Sequence, residues 1–503
     1  MKTDILVIGG GLAGRRCAEE AGKTADVTLV CDGAGASPFI HGMNVPLYKD
    51  DSVECFKEDT LRSGKYQNNL KLVEALCSGS LNIAKEFEFD KKDGNYSLLK
   101  PLGSSYPRAA CIGGFTGTAV LRQIEEKRNF NCMKHIRALK LAREKKRVCG
   151  AYCFDTKEKK YFFIGAKAVV IASGGFCGLF PFSTNTSDIA GDGIAMALDS
   201  GAVLRDMEFI QFEPSAAVYP KKISGKSVIT TMLFDGAVIK NNIGEKIVKD
   251  GECVDKDELS RLIYSEIEQG RGSRHGGVYF DARGVNKKVM QEKYKIYRKR
   301  YLDVNIDILK TPVEIASAPH TSLGGIEINE RCETSVEGLF ACGEAAGGLH
   351  GANRLGGNAG LEVLVFGKTA GKSAAEFVKK VPEPQEYSEE EFVCESNTDE
   401  EYGSELKEIL SESMNVVRNG EKLLNAKKNL KNMLNQLKSD KICFKRTRIY
   451  NDALCAYAAV LSALAREESV GCHTRSDSRP TGKKYCIRVK NDGGEISVQR
   501  GEI

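Results

Sequence analysis

"DILVIGGGLAGRRCAEEAGKTADVTLVCD", residues 4 to 32, decides the fold. Ile5 to Ile8 is an unbroken apolar run, as expected of a parallel strand buried on both faces. Gly9, Gly11 and Gly14 then give GxGxxG. The first glycine allows a tight turn, the second lets a pyrophosphate approach the backbone, and the third lets the following helix pack close to the strand. Leu12 and Ala13 open that helix, whose free N–H groups and positive dipole end suit a phosphate. A second apolar run ends at Asp32, roughly where a ribose-binding acid belongs. Cys31 is the alternative occupant of that position, with the ribose contact then left to the backbone. Strand, glycine turn, helix, strand and acid in this order specify a dinucleotide-binding unit, where a lone glycine motif would not.

Further along, "AKAVVIASGG" (166–175) is another apolar strand ending in paired glycines. The whole chain of 503 residues is long enough for two or three domains, and its hydrophobic content of 42% is that of a globular protein. A net charge of +5 is too small to argue for nucleic acid. The basic, tyrosine-containing run "KVMQEKYKIYRKRY" (288–301) reads as a solvated helix face. No apolar run reaches the length of a membrane span, and no cleavable leader precedes the first strand, so direct membrane insertion is not expected and a cytoplasmic location is. Seventeen cysteines occur without a CxxC pair. Reduced, mostly buried thiols are expected, with no iron–sulfur or zinc module and no metal site in the chain.

Two more blocks extend the pattern: "AGDGIAMALDSGAVLRDMEFIQFEPSA" (190–216) and "VEGLFACGEAAGGLHGANRLGGNAGLEVLVFGKTAGKSAA" (336–375). With the first strand and the 166–175 strand, they resemble the flavoprotein subunits of succinate dehydrogenase and fumarate reductase, together with L-aspartate oxidase and the flavin subunit of thiol:fumarate reductase. The resemblance covers nearly the whole chain, and "HGANRLGGN" after "GLFACGEAAGG" is its most specific part. It implies an α/β fold: a discontinuous, Rossmann-like two-dinucleotide-binding FAD domain (1–220 and 325–372), an α+β capping domain (221–324) and a C-terminal helical domain (373–503). The polar, proline-containing stretch at 381–392 reads independently as a linker, residues 403–439 and 450–469 carry helical periodicity, and residues near Asn491–Gly494 read as a terminal hairpin. Where the family ends its last long helix with ESRG-x-H-x-R-x-D, this chain has "ESVGCHTRSD", with Val470 in place of Arg.

The resemblance implies FAD as cofactor, held by Gly9, Gly11, Leu12, Ala13, Gly14, Asp32, Ala172, Gly174, Gly175, Asp192, Glu344, Ala359 and Gly360, with the glycines around 356 to 360 against the flavin. His41 lacks the Ser-His-Thr setting of a covalent flavin link, so non-covalent FAD is expected. For the substrate it implies His320, in "APHTSLGGIEI", and Arg354, whose planar fork suits a carboxylate. Thr230 keeps a family position in "VITT". Three positions depart from the family. Glu213 in "FEPS" replaces a histidine, Thr231 replaces an acid, and Lys256 stands where a catalytic arginine heads a cap helix. Lys256 is the expected proton donor, with Arg261 the alternative and Arg271 or Arg274 also able to reach in. An anionic Glu213 is expected to repel a second carboxylate, which argues against a simple dicarboxylate substrate.

The expected activity is hydride transfer between flavin N5 and a carboxylate-bearing C=C or CH–CH substrate. An aspartate-oxidase-like reaction at a C–N bond, in which Glu213 would meet an ammonium group, is the first alternative. A non-catalytic electron-transfer subunit is the second. Expected partners are a small carboxylate and an electron-carrier protein or iron–sulfur subunit.

Overall fold

The computed structural model describes residues 1–249, 254–383, 400–439 and 441–503. Strand β1 (Lys2–Ile8) and strand β2 (Val27–Cys31) flank helix α1 (Leu12–Ala21) and pair in parallel, Ile5 opposite Val27 and Ile8 opposite Val30. Ile5, Leu6 and Val7 are fully buried. Strand β3 (Asn131–Lys134) adds in parallel to β2, and β4 (Ile136–Glu144), β5 (Arg147–Asp155) and β6 (Lys160–Ile171) form an antiparallel meander. The sheet order is β3-β2-β1-β6-β5-β4. Strand β6 belongs to both kinds of sheet. Its first half pairs antiparallel with β5, and its last residues pair in parallel with β1 and with the short strand Leu339–Ala341. Strand 166–175 thus lies beside β1, both ending at the same edge, with Ile8 opposite Ile171. Helix α2 (Asp192–Asp199) follows at that edge.

A second sheet is antiparallel: β7 (Ile210–Ala217), β8 (Val238–Lys240), β9 (Val278–Asp281) and β10 (Val313–Ser322), in the order β7-β10-β9-β8. It carries helix α3 (Lys256–Glu268) and helix α4 (Lys295–Leu302) around its own core of Val278, Phe280, Ile315, Ile263 and Tyr301. The tyrosines of the basic run pack into this core. Tyr294, Tyr297 and Tyr301 are each 8% exposed or less while Lys288, Lys293, Lys295 and Lys299 are exposed, so the basic residues form a solvated face and every third or fourth residue of the run turns inward.

Helix α5 (Asn358–Val378) continues six residues past 372 and crosses α1 closely. A Cβ at Gly367 would sit 2.7 Å from Ala13 O, and one at Gly371 2.3 Å from Cys17 O. These glycines, one turn apart, remove the side chains that would hold the two helices apart. Helix α6 (Glu400–Ser413), helix α7 (Gly420–Leu437) and helix α8 (Phe444–Ala465) carry the helical periodicity read from the sequence. Most of the linker expected at 381–392 lies outside the described residues. The terminal hairpin forms, β11 (Cys486–Asp492) with β12 (Glu495–Gly501). It packs on α8 and extends a small sheet, pairing with Leu204–Arg205, which in turn pairs with Gly325–Glu327. Among the described residues, no helix is long and apolar enough to cross a membrane.

Most described cysteines are buried, as expected of reduced thiols, and burial pushes Cys177, Cys332 and Cys455 well above the ordinary thiol pKa. No group of His, Cys, Asp and Glu among the described residues is arranged to hold a metal ion.

Candidate active site

A cleft runs along the carboxyl ends of β1, β2 and β6, where an open α/β sheet binds its ligand. Gly9, Gly11, Leu12 and Ala13 line its middle, and Cys31 and Asp32 its β2 end. Ala172, Gly174, Asp192, Glu344 and Ala359 line its far wall. Both alternatives that the sequence left open, Cys31 and Asp32, thus line this end of the cleft. Three of the proposed cofactor residues do not line the cleft: Gly14, Gly175 and Gly360. Gly14 serves packing, since a Cβ there would lie 2.0 Å from Gly9 O. One at Gly175 would strike Ser322 Oγ and Glu344, and one at Gly360 would meet Gly42 O, Ile40 and Met43.

The sequence reading missed several wall residues. Ser37 Oγ accepts the Leu12 N–H at 2.8 Å, so one free amide of the α1 terminus has a protein partner. Arg137 lines the cleft and bridges Asp192 at 3.1 Å to Asp32 at 3.6 Å. His350 and Glu362 also line it and meet at 2.9 Å. No motif marked Ser37 or Arg137; His350 lay inside "HGANRLGGN" with no role given. The cleft fits a dinucleotide with a polar, planar head. Its middle is bare backbone, one end presents a carboxylate and the Cys31 strand end, and at the other the buried His350 Nδ1 has no hydrogen-bond partner. Buried groups of this kind persist when a ligand satisfies them.

Beyond His350 the chain forms the loop carrying Arg354. Its asparagines and neighbours act as staples. Asn44 Nδ2 donates to Gly356 O and to Asn358 Oδ1, both at 2.7 Å. Asn68 Nδ2 donates to Leu349 O at 2.8 Å. Gln211 Nε2, on β7, donates to Asn353 Oδ1 at 2.8 Å and to Arg354 O at 3.0 Å. From the C-terminal side, Cys472 N donates to Ala352 O at 2.9 Å. A Cβ at Gly357 would lie 2.2 Å from Asn44 Oδ1, so this glycine makes room for a staple.

The loop thus fixes a guanidinium whose Nε the protein leaves unsatisfied. Arg354 Nε is buried without a hydrogen-bond partner, and among the described residues no carboxylate forms a salt bridge with it. Burial pushes its pKa down, opposed by the charges of Glu344, Glu362 and Glu213. Arg354 therefore lies between the cleft wall and the second sheet. Arg354 is half-buried, and its buried Nε without an acceptor is costly unless an anion arrives.

On the second sheet, Glu213 of β7 lies opposite Ala318 of β10, at the start of an irregularity that runs to Ala216 and contains Pro214. A bulge beside a site re-aims side chains, and proline is tolerated in one. Glu213 Oε2 accepts from Lys256 Nζ at 2.5 Å. Burial raises the Glu213 carboxyl, but the Lys256 charge, with His320 and the hydrogen bonds from Lys256 and Ser215, outweighs burial and holds it at about 2. This corrects the expectation of an uncompensated anion: Lys256, placed by the first turn of α3, neutralises it. His320 is pushed down to about 3 by burial and by the Lys256 charge, so it is neutral near pH 7, and its Nδ1 meets the Thr184 hydroxyl at 2.8 Å. Thr230 is buried at the head of the turn 230–235.

Arg261 is turned elsewhere. It bonds Asp257 and Gly471 O, each at 3.1 Å, and ties α3 to the C-terminal segment. Arg271 is paired with Glu266, and Arg274 lies beside His275. Lys256, Glu213, His320 and Arg354 are the group that the structure brings together.

A family model described as FAD binding domain matches residues 4–359, and one described as fumarate reductase flavoprotein C-term matches residues 403–489. An uncharacterized FAD-dependent oxidoreductase of Methanocaldococcus jannaschii is 33% identical, over 96% of this chain and 95% of that protein. One of the subunits of fumarate reductase (CoM/CoB) from Methanothermobacter marburgensis is 31% identical, over 96% of each. Among solved structures, Mycobacterium smegmatis Sdh1 in complex with UQ1 superposes with a TM-score of 0.89 at 27% identity, covering 100% of this chain and 94% of that one.

Proposed function

The chain belongs to the FAD-dependent flavoprotein family of fumarate reductase, succinate dehydrogenase and L-aspartate oxidase, and from that premise we propose that it reduces, or in reverse forms, the C=C bond of an enoate with one carboxylate. The observation that carries this reading is the half-buried Arg354, whose Nε is buried without an acceptor, beside a neutral His320 and the Lys256–Glu213 pair. Bound FAD supplies the hydride exchange at the carbon beta to the carboxylate. Arg354 holds the carboxylate as a bidentate fork and His320 adds a neutral hydrogen-bonding group. Lys256 Nζ delivers one proton to the alpha carbon. Hydride and proton together saturate the double bond, and Glu213 stabilises Lys256 as the ammonium until delivery.

Charge bookkeeping at the site supports a single carboxylate. Lys256 is already paired with Glu213 and His320 is neutral, which leaves Arg354 to meet one carboxylate. A second carboxylate would meet an ion pair without net charge. The aspartate-oxidase-like alternative loses the feature that favoured it, because Lys256 already occupies the place beside Glu213 where a substrate ammonium would sit. We further propose that electrons pass through a partner protein or carrier and that FAD is held without a covalent bond. Gly9, Gly11, Leu12, Ala13, Asp32 and Glu344 would hold it from within the cleft, with Gly14, Gly175 and Gly360 shaping the walls behind.

Anaerobic photoreduction followed by a panel of monocarboxylate enoates, fumarate and amino acids tests this reading. Flavin absorbance should return with at least one monocarboxylate enoate, faster than with fumarate. Return with fumarate alone would refute the one-carboxylate assignment, and return with no enoate would refute the reaction.

A further inference from the structure

Behind Glu213 lies a chain of hydroxyls that neither the family resemblance nor the reaction above uses. Ser215 Oγ donates to Glu213 Oε1 at 2.5 Å, on the carboxylate oxygen opposite the one that Lys256 holds. Ser215 N also donates to Oε1, at 3.3 Å. Ser215 Oγ lies 3.0 Å from Ser227 Oγ, so the serines form a continuous line toward the surface. Ser215 is fully buried on β7 and Ser227 half-buried on the segment that pairs with it, Ala216 opposite Ser227.

One backbone group sets the direction of this line. Ile229 N donates to Ser215 Oγ at 3.3 Å and to Ser227 Oγ at 3.2 Å. Ile229 has φ 82, a left-handed conformation that is a genuine outlier for a β-branched residue. Strain kept at such a point calls for a compensating role. Here the strained peptide aims its N–H at two hydroxyl oxygens, occupies acceptor positions on both and leaves the Ser215 proton to Glu213. Arg300 Nη1 on α4 donates to Ser227 O at 2.5 Å and holds the outer end.

We propose that Ser215, Ser227 and the left-handed Ile229 are positioning residues that keep Glu213 an ionised carboxylate aimed at Lys256, and so set the acid limb of the reaction. The inference rests on the reading of Lys256 as the proton donor. Lys256 of α3, His320 of β10, Tyr297 of α4 and Arg354 of the loop are the titratable groups whose charges act on Glu213 or feel it. Lys256 fixes one carboxylate oxygen; among the described residues, the serine line fixes the other. Without Ser215 the carboxyl can rotate and take a proton, and the ammonium loses its fixed partner.

Two measurements on Ser215→Ala test this, one without turnover. In flavin-free protein, an infrared titration assigned with Glu213→Gln should show the protonated-carboxyl band of Glu213 appearing at a pH at least one unit higher in Ser215→Ala than in the wild type. In the flavin-loaded enzyme, the acid limb of kcat should move up by a pH unit or more with KM nearly unchanged. Ser227→Ala should move both readouts in the same direction by less, and Ser227→Thr should restore them. If Ser215→Ala does not fold, the Ser227 pair decides. An unmoved carboxyl titration, or an unmoved acid limb, overturns the proposal. Full turnover in Lys256→Met would instead overturn the proton-donor reading, and the infrared result would still decide the role of the serines.

Discussion

Arg354 shows how one residue trades stability for recognition. The residue is half-buried with its Nε buried and unpartnered, so the folded protein bears a desolvation cost at that atom that a bound anion offsets. Arg354→Met should therefore leave the melting temperature unchanged or raise it, while weakening binding of a carboxylate about a hundredfold or more, as loss of a bidentate charge-assisted pair requires. Calorimetry and flavin-absorbance titration of the same preparation check both signs. A variant that melts well below the wild type would show that Arg354 is a structural residue. Glu213 carries the opposite lesson. Its residue type and charge were legible as a departure from the family, and the cation that compensates it was not, because the sequence does not show which side chain faces it. The answer stands 43 residues away at Lys256.

Elements differ in how much of them a sequence can state. The β1–α1–β2 unit was legible because its glycines are demanded by backbone contacts: no side chain fits where Gly14 meets Gly9 O. Paired apolar strands and the terminal hairpin were legible for similar local reasons. The place of the hairpin, on Leu204–Arg205, was not, since pairing over such a distance leaves no periodic trace. The Arg354 loop was legible as a motif but not as a stapled object, because Asn44, Asn68, Gln211 and Cys472 come from four separate parts of the chain. Gly471 tests the last of these staples. It has φ +55, and a Cβ would lie 2.3 Å from Ala352 O. Gly471→Ala should destabilise by about 1–3 kcal/mol through overpacking and raise KM for the carboxylate by moving Ala352 and Arg354. Flavin content should stay that of the wild type, because the segment does not line the cleft. Unaltered KM in a folded variant would show that the C-terminal segment does not support the loop.

At the scale of the molecule, buried ionisable groups tie folding to pH. His320 is held near 3 by burial and the Lys256 charge, against an ordinary value of 6.5. The unfolded chain takes up this proton as pH falls through 6.5 and the folded chain does not, so the residue lowers stability progressively below 6.5. At pH 5.5 the share is about 1 kcal/mol. Because Glu208, pushed up to about 7 by burial, acts with the opposite sign, the effect is read as a difference. His320→Asn should lose less stability than the wild type between pH 7.5 and 5.5, measured by denaturant unfolding at each pH. Equal losses would mean that His320 is protonated in the folded protein.

The loop that presents Arg354 is gripped by residues from the first seventy positions, the middle and the last forty of the chain. A gene recombined between two diverged relatives at almost any internal crossover would draw those grips from different parents. Selection on such hybrids should then favour inheriting the chain whole, so that new substrates arise through point changes around the guanidinium and not by shuffling of parts.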